Sequence, residues 1–134
     1  MKLASIVFIS LFACSVATES AQEFVPAGVW GGKGIQLTLT DVGGALDYGC
    51  DSGTIDGRLR TDSRGKFVAH GTHVFGSGGP RSPGEATPRA HEARYEGVRK
   101  GDKMEFTVEI PKLKRRVGKF TLQFGQRPTL ERCG

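Results

Sequence analysis

The chain has 134 residues, of which 25% are charged and 37% hydrophobic, with a formal net charge of +5. A chain of that length builds one domain around one core and is too short for two. The excess of bases is too thinly spread to demand a polyanionic partner, and no nucleic-acid partner is expected.

Met1-Lys2 leads into an apolar run over residues 3–13 and then into small and polar residues up to Ala21. A bilayer span needs about 20 apolar residues, so the run suits the core of a secretory signal instead. Ser15-Val16-Ala17 is a small-x-small cleavage site, which makes residues 1–17 a signal peptide and starts the mature chain at Thr18. Leu11-Phe12-Ala13-Cys14 also resembles the lipobox of bacterial lipoproteins, with Cys14 as the lipid-bearing residue. Both routes place the protein outside the cytoplasm, in the periplasm or beyond it. No later stretch is apolar enough for a membrane helix, so no transmembrane segment is expected in the mature chain.

Cleavage removes Lys2 and no acid, leaving 18 bases against 14 acids, with the bases concentrated after residue 67. Two cysteines stay in the mature chain, Cys50 and Cys133, and an exported protein meets an oxidising compartment. A bridge between them closes a loop of about 84 residues, worth roughly 4.5 kcal/mol on the chain-entropy model.

Residues 18–27 read as an N-terminal linker and 28–134 as a single β domain. Gly28-Val29-Trp30 opens the first strand; Ile35, Leu37 and Leu39 then share one face. After a turn at Val42-Gly43-Gly44, the residues Leu46, Tyr48 and Cys50 are again one-sided and are expected to point into the core. Residues 54–60 are a weaker strand and Asp62-Ser63-Arg64-Gly65 a turn. Phe67, Ala69, Gly71 and His73 form the next inward face. Over 76–92 three prolines and four glycines forbid a central strand, so this reads as a long loop. Alternation resumes at 93–99, and Lys100-Gly101-Asp102 makes a hairpin into Met104, Phe106, Val108 and Ile110. Residues 111–117 read as a basic connection. Phe120, Leu122 and Phe124 face inward, and a short last strand ends at Cys133, with Leu130 inward. The sum is an all-β antiparallel meander of seven or eight strands, read as an up-and-down barrel with a β-sandwich as the alternative.

Catalytic and metal chemistry finds little support. His70 and His73 are three residues apart, on opposite faces of a strand, and His91 falls at the end of the long loop. Glu105 and Glu109 share an outer, solvated face. Ser52, Ser63 and Ser77 sit in no nucleophile elbow. No cofactor or metal is expected, and no catalytic residue is assigned. The densest charge is Lys112, Lys114, Arg115, Arg116 and Lys119, a candidate contact for anionic envelope surfaces placed at a hairpin tip. Mixed Gly, Ala and aromatic inward positions also admit a cavity holding a small ligand. The leading functional reading is a non-catalytic exported binding or envelope-associated protein. The alternative is a small hydrolase or metal-dependent enzyme built on Asp47, Asp51, Asp56 and the histidines.

Two resemblances follow from these residues. Gly28-Val29-Trp30 resembles the start of lipocalin and avidin barrels, which implies Trp30 as a barrel plug. Gly28-Val29-Trp30-Gly31-Gly32, Cys50-x-x-Gly53-Thr54-Ile55, Ala93-Arg94-Tyr95-x-Gly97, Gly101-Asp102-x-Met104, Gly118-x-Phe120-x-Leu122 and Leu130-x-x-Cys133 resemble a group of uncharacterised exported bacterial β-proteins. That resemblance implies export and the cysteine pair. The group carries a histidine where Gly34 stands and often Ala-His where Asp51-Ser52 stand, so a site formed by those histidines would be missing here.

Overall fold

The computed structural model of the protein describes residues 10, 11, 13, 22–76 and 89–131. Its strands are β1 (Glu23–Phe24), β2 (Gly28–Gly32), β3 (Ile35–Leu39), β4 (Gly43–Asp47), β5 (Ser52–Asp56), β6 (Arg60–Thr61), β7 (Lys66–Val74), β8 (Ala90–Lys100), β9 (Lys103–Ile110) and β10 (Arg115–Phe124), with one 3-10 turn over Pro111–Leu113. Eight of them close into an antiparallel barrel in the order β10-β2-β3-β4-β5-β7-β8-β9, and β1 pairs with β6 as a separate ribbon. The up-and-down barrel is therefore the fold, and the sandwich is excluded.

Three of the turns have a local cause. The Thr40 hydroxyl accepts from the N–H groups of Val42 (3.3 Å) and Gly43 (3.2 Å), which bends β3 into β4. Asp62 Oδ1 accepts from the N–H groups of Arg64 (2.8 Å) and Lys66 (2.9 Å), tightening the turn before β7. Lys100 pairs with Lys103, so Gly101-Asp102 is a two-residue hairpin loop, and Gly101 supplies the positive φ of 58° that such a loop needs.

The inward face repeats the alternation of the sequence. Ile35, Leu37 and Leu39 are buried, as are Phe67, Ala69 and His73 on β7 and Met104, Phe106, Val108 and Ile110 on β9. Small inward positions do not leave a cavity, because large neighbours lean over them. A Cβ on Gly53 would sit 2.9 Å from Tyr95 Oη, and one on Gly44 would sit 3.0 Å from a Leu39 methyl. Trp30, Ile35, Leu37, His73, Tyr95, Val108 and Ile110 are all 0% exposed, so no water-sized void touches them. Among the described residues the interior is filled by these side chains and offers no internal ligand cavity beside them, an outcome that small barrels can reach.

Four further expectations are corrected. Cys50 does not face the core: β4 ends at Asp47, whose carboxylate takes the Gly49 N–H (2.8 Å), and Tyr48 N–H bonds to Asp51 O (3.0 Å). Cys50 thus sits exposed in a tight corner rather than on a strand. β8 begins at Ala90, so His91 is a strand residue opposite His73 and not part of a loop. The basic run 111–117 is only in part a connection, because β10 already begins at Arg115 and passes a bulge between Arg116 and Gly118. After β10 no final strand forms among the described residues; the tail makes a single parallel bridge, Lys33 with Thr129, and Leu130 is half-buried.

Candidate functional site

The connections β2–β3, β4–β5, β7–β8 and β9–β10 gather at one end of the barrel, called the upper end here, and the others at the lower end. The upper end carries the polar chemistry. Asp51, in the β4–β5 corner, accepts from the His73 Nε2–H (3.0 Å) and from the Gly76 N–H (2.9 Å). His73 is wholly buried, whereas the Asp51 side chain is a quarter exposed, so the pair runs from the rim into the interior. Tyr48 packs against His73 with tilted rings and centroids 5.1 Å apart, and Phe75 packs edge-on against His73 at 4.8 Å. Two buried atoms of this cluster, His73 Nδ1 and the Tyr48 hydroxyl, have no partner within hydrogen-bond geometry among the described residues. Tyr95 Oη donates to Thr72 O (3.0 Å). Burial, and then the neighbouring Tyr95, push the Tyr48 phenol above its ordinary pKa; burial does the same to Tyr95.

This cluster was not legible as a site. Asp51 and His73 are 22 residues apart, and only the pairing of β5 with β7 brings them together. Of Asp47, Asp51 and Asp56, Asp51 is the one that hydrogen-bonds a histidine among the described residues. Asp47 caps its own corner, and Asp56 ends β5 near the lower end. His70 points outward from β7, as the alternation requires. Among the described residues no group of three His, Cys, Asp or Glu side chains could hold a metal ion.

The basic cluster divides when placed on the structure. Lys119 pairs with Glu105 (2.8 Å) and Arg116 with Glu109 (3.7 Å) across β9 and β10, while Lys112 reaches Glu92 (3.8 Å). Lys119 holds the Glu105 carboxyl below its ordinary pKa by hydrogen bonding and charge. Glu105 and Glu109 are therefore partners of the cluster on the outer wall. Arg115 instead lies over the Phe75 ring (4.6 Å), and Lys114 occupies the left-handed corner after the 3-10 turn, with φ 47°. Between Lys112 and Lys114 projects Leu113, 48% exposed.

Trp30 points inward from β2, fully buried, with Phe124 edge-on at 5.1 Å and its indole N–H on Pro26 O (3.4 Å). It lies toward the lower end, under the start of β2. At the same end Phe24 of β1 is covered by the Arg58 guanidinium at 3.9 Å. The tail after β10 climbs the outside of β2. Gly31 lacks a side chain where Gln126 O comes within 2.0 Å of its would-be Cβ, and Thr129 bonds to Gly32 O (3.1 Å). Its last described residue, Glu131, lies with its carbonyl against Gly49 at the upper end. Cys50 is not a free thiol; Cys133 and Cys14 lie outside the described residues.

No helix among the described residues is long and apolar enough to cross a membrane. The class is thus a small, filled, eight-stranded antiparallel barrel with a polar cluster at one end. Compared with family models, curated proteins and solved structures, the chain matches none of them.

Proposed function

We propose that the protein is an exported, non-catalytic binding protein of the cell envelope, and that its upper rim meets anionic surfaces. The observation that carries this is the tip Lys112-Leu113-Lys114-Arg115, where an exposed leucine stands between cations. Apolar contact plus basic charge is the composition that holds a surface to anionic headgroups or polymers. A filled interior supports the same reading, since it leaves the outside of the barrel as the place to bind. The proposal includes the Cys50–Cys133 bridge, supported by Glu131 lying against Gly49, and export by the segment 1–17 with the mature start at Thr18, or lipid attachment at Cys14.

Cosedimentation with phosphatidylglycerol-containing vesicles tests the tip. Binding should weaken as salt rises. With about 1 kcal/mol per basic residue near the surface, the double variant Lys114→Gln, Arg115→Gln should bind roughly thirtyfold more weakly. Binding that ignores salt and survives the double variant would overturn the reading. The intact mass of the exported protein reads the processing and the bridge together; a mass retaining residues 1–17, or two free thiols, would remove those parts.

A further inference from the structure

The barrel wall has a window at its lower end. All nine residues of β7 pair with β8, but only Gly71, Thr72, His73 and Val74 pair with β5. β5 stops at Asp56 because Gly57, with φ 71°, turns the chain away toward β6. Among the described residues the lower half of β7 therefore has a paired strand on one side only.

Hydrogen-bond direction shows what this half presents. Arg99 N–H donates to Gly65 O (2.8 Å), which aims the odd-numbered residues of β7 at β8 and the even-numbered ones at the β5 side. Lys66 obeys the rule: its N–H donates to Asp62 Oδ1 and its C=O accepts from the Asp62 N–H, both at 2.9 Å. Val68 comes next, and its N–H and C=O face the β5 side, where no strand pairs with it among the described residues and β6 stands off across a gap. Its side chain is 51% exposed. In front of it runs a groove of about 570 Å³, with Asp56, Arg58 and Arg60 on one bank and Lys66, Val68 and His70 on the other. Leu59 and Phe67, both buried, line its floor.

We propose that this groove takes an extended peptide segment, added as a short strand beside Val68 with its acidic side chains toward Arg60 and Lys66. A backbone donor and acceptor at strand spacing are matched by another extended backbone, whose N–H and C=O alternate in the same way. A phosphate or lipid headgroup supplies acceptors without the alternating donors. The charge of the banks selects the sequence: among the described residues neither Arg60 nor Lys66 has a carboxylate in an ion pair, and the Asp62 carboxylate is occupied by backbone N–H groups. The groove lies at the opposite end from the Leu113 tip and stands independently of the envelope reading.

The test is residue-resolved amide exchange on the mature protein, with the peptide acetyl-Thr-Val-Glu-Val-Thr-amide as probe. In the free protein the Val68 amide should exchange at least about tenfold faster than that of Ala69, which is bonded to β8. Saturating peptide should slow Val68 to the rate of Ala69, while the same peptide with alternate amides N-methylated should not. Val68→Pro, which an edge strand tolerates, should abolish binding of the unmodified peptide. The proposal is overturned by a Val68 amide already as slow as Ala69, by no slowing at millimolar peptide, or by equal effects of the two peptides. Protection that tracks dimer formation in sedimentation would overturn it in favour of a second copy.

Discussion

Replacing Trp30 with alanine tests whether the lower end of the barrel is truly solid. The indole is 0% exposed, contacts Phe124 edge-on at 5.1 Å and donates to Pro26 O. Removing a buried aromatic of this size costs about 4 kcal/mol, the sum of lost transfer energy and the cavity left behind. Domains of this size have only about 5–15 kcal/mol in total. With a urea slope near 1.3 kcal/mol/M, the unfolding midpoint should fall by about 3 M at unchanged slope. Far-ultraviolet circular dichroism is the assay, because Trp30 is the one tryptophan and the variant loses its fluorescence. Phe124→Ala, alone and in combination, isolates the ring pair, whose coupling should be about 1 kcal/mol. A loss below about 1 kcal/mol for Trp30→Ala would refute the packed interior, since a ring in a pre-existing void leaves little behind when removed.

Three predictions follow from the polar groups. Both tyrosines have raised folded-state pKa values, so their contribution to stability is intact below pH 10 and is lost as pH rises through the folded values; phenolate absorbance should appear together with unfolding rather than as a separate step at pH 10. Tyr95→Phe should destabilise by about 1 kcal/mol through the bond to Thr72 O, whereas Tyr48→Phe should cost less in the same denaturation assay, because among the described residues no acceptor or donor meets its hydroxyl in hydrogen-bond geometry. Glu105 has a depressed folded pKa, so its contribution is present above the ordinary carboxyl value and fades as pH falls through the folded one; in an NMR titration Lys119→Gln should move the Glu105 midpoint upward, and added salt should shrink the difference.

The wall of the barrel was legible because its strands obey a period of two and its turns have local chemistry. Met104 to Ile110 and Phe67 to His73 needed no tertiary information to be placed. The reading failed where a short-range device interrupts the period. Asp47 and Gly49 end β4 before parity can carry Cys50 inward, and the bulge after Arg116 hides the first turn of β10 behind a run of bases. Ala90 to Glu92 share the composition of the preceding loop, so only the pairing with β7 reveals them as strand. The Asp51–His73 contact and the window beside Val68 belong to the register between strands. That register is fixed by barrel closure, which no local window of sequence contains.

All but one of the ladders of the wall join barrel strands that follow one another in the chain, β5 and β7 with only the short β6 of the separate ribbon between them. The exception is the seam between β2 and β10, made of three pairs: Trp30 with Phe124, Gly31 with Gln123 and Gly32 with Leu122. Until that seam forms, a folding chain is a curved open sheet with Trp30 and Leu122 uncovered at its two margins. Loop-closure entropy places such a long-range pairing late. The time between hairpin formation and seam closure is thus when the chain most exposes an aggregating edge.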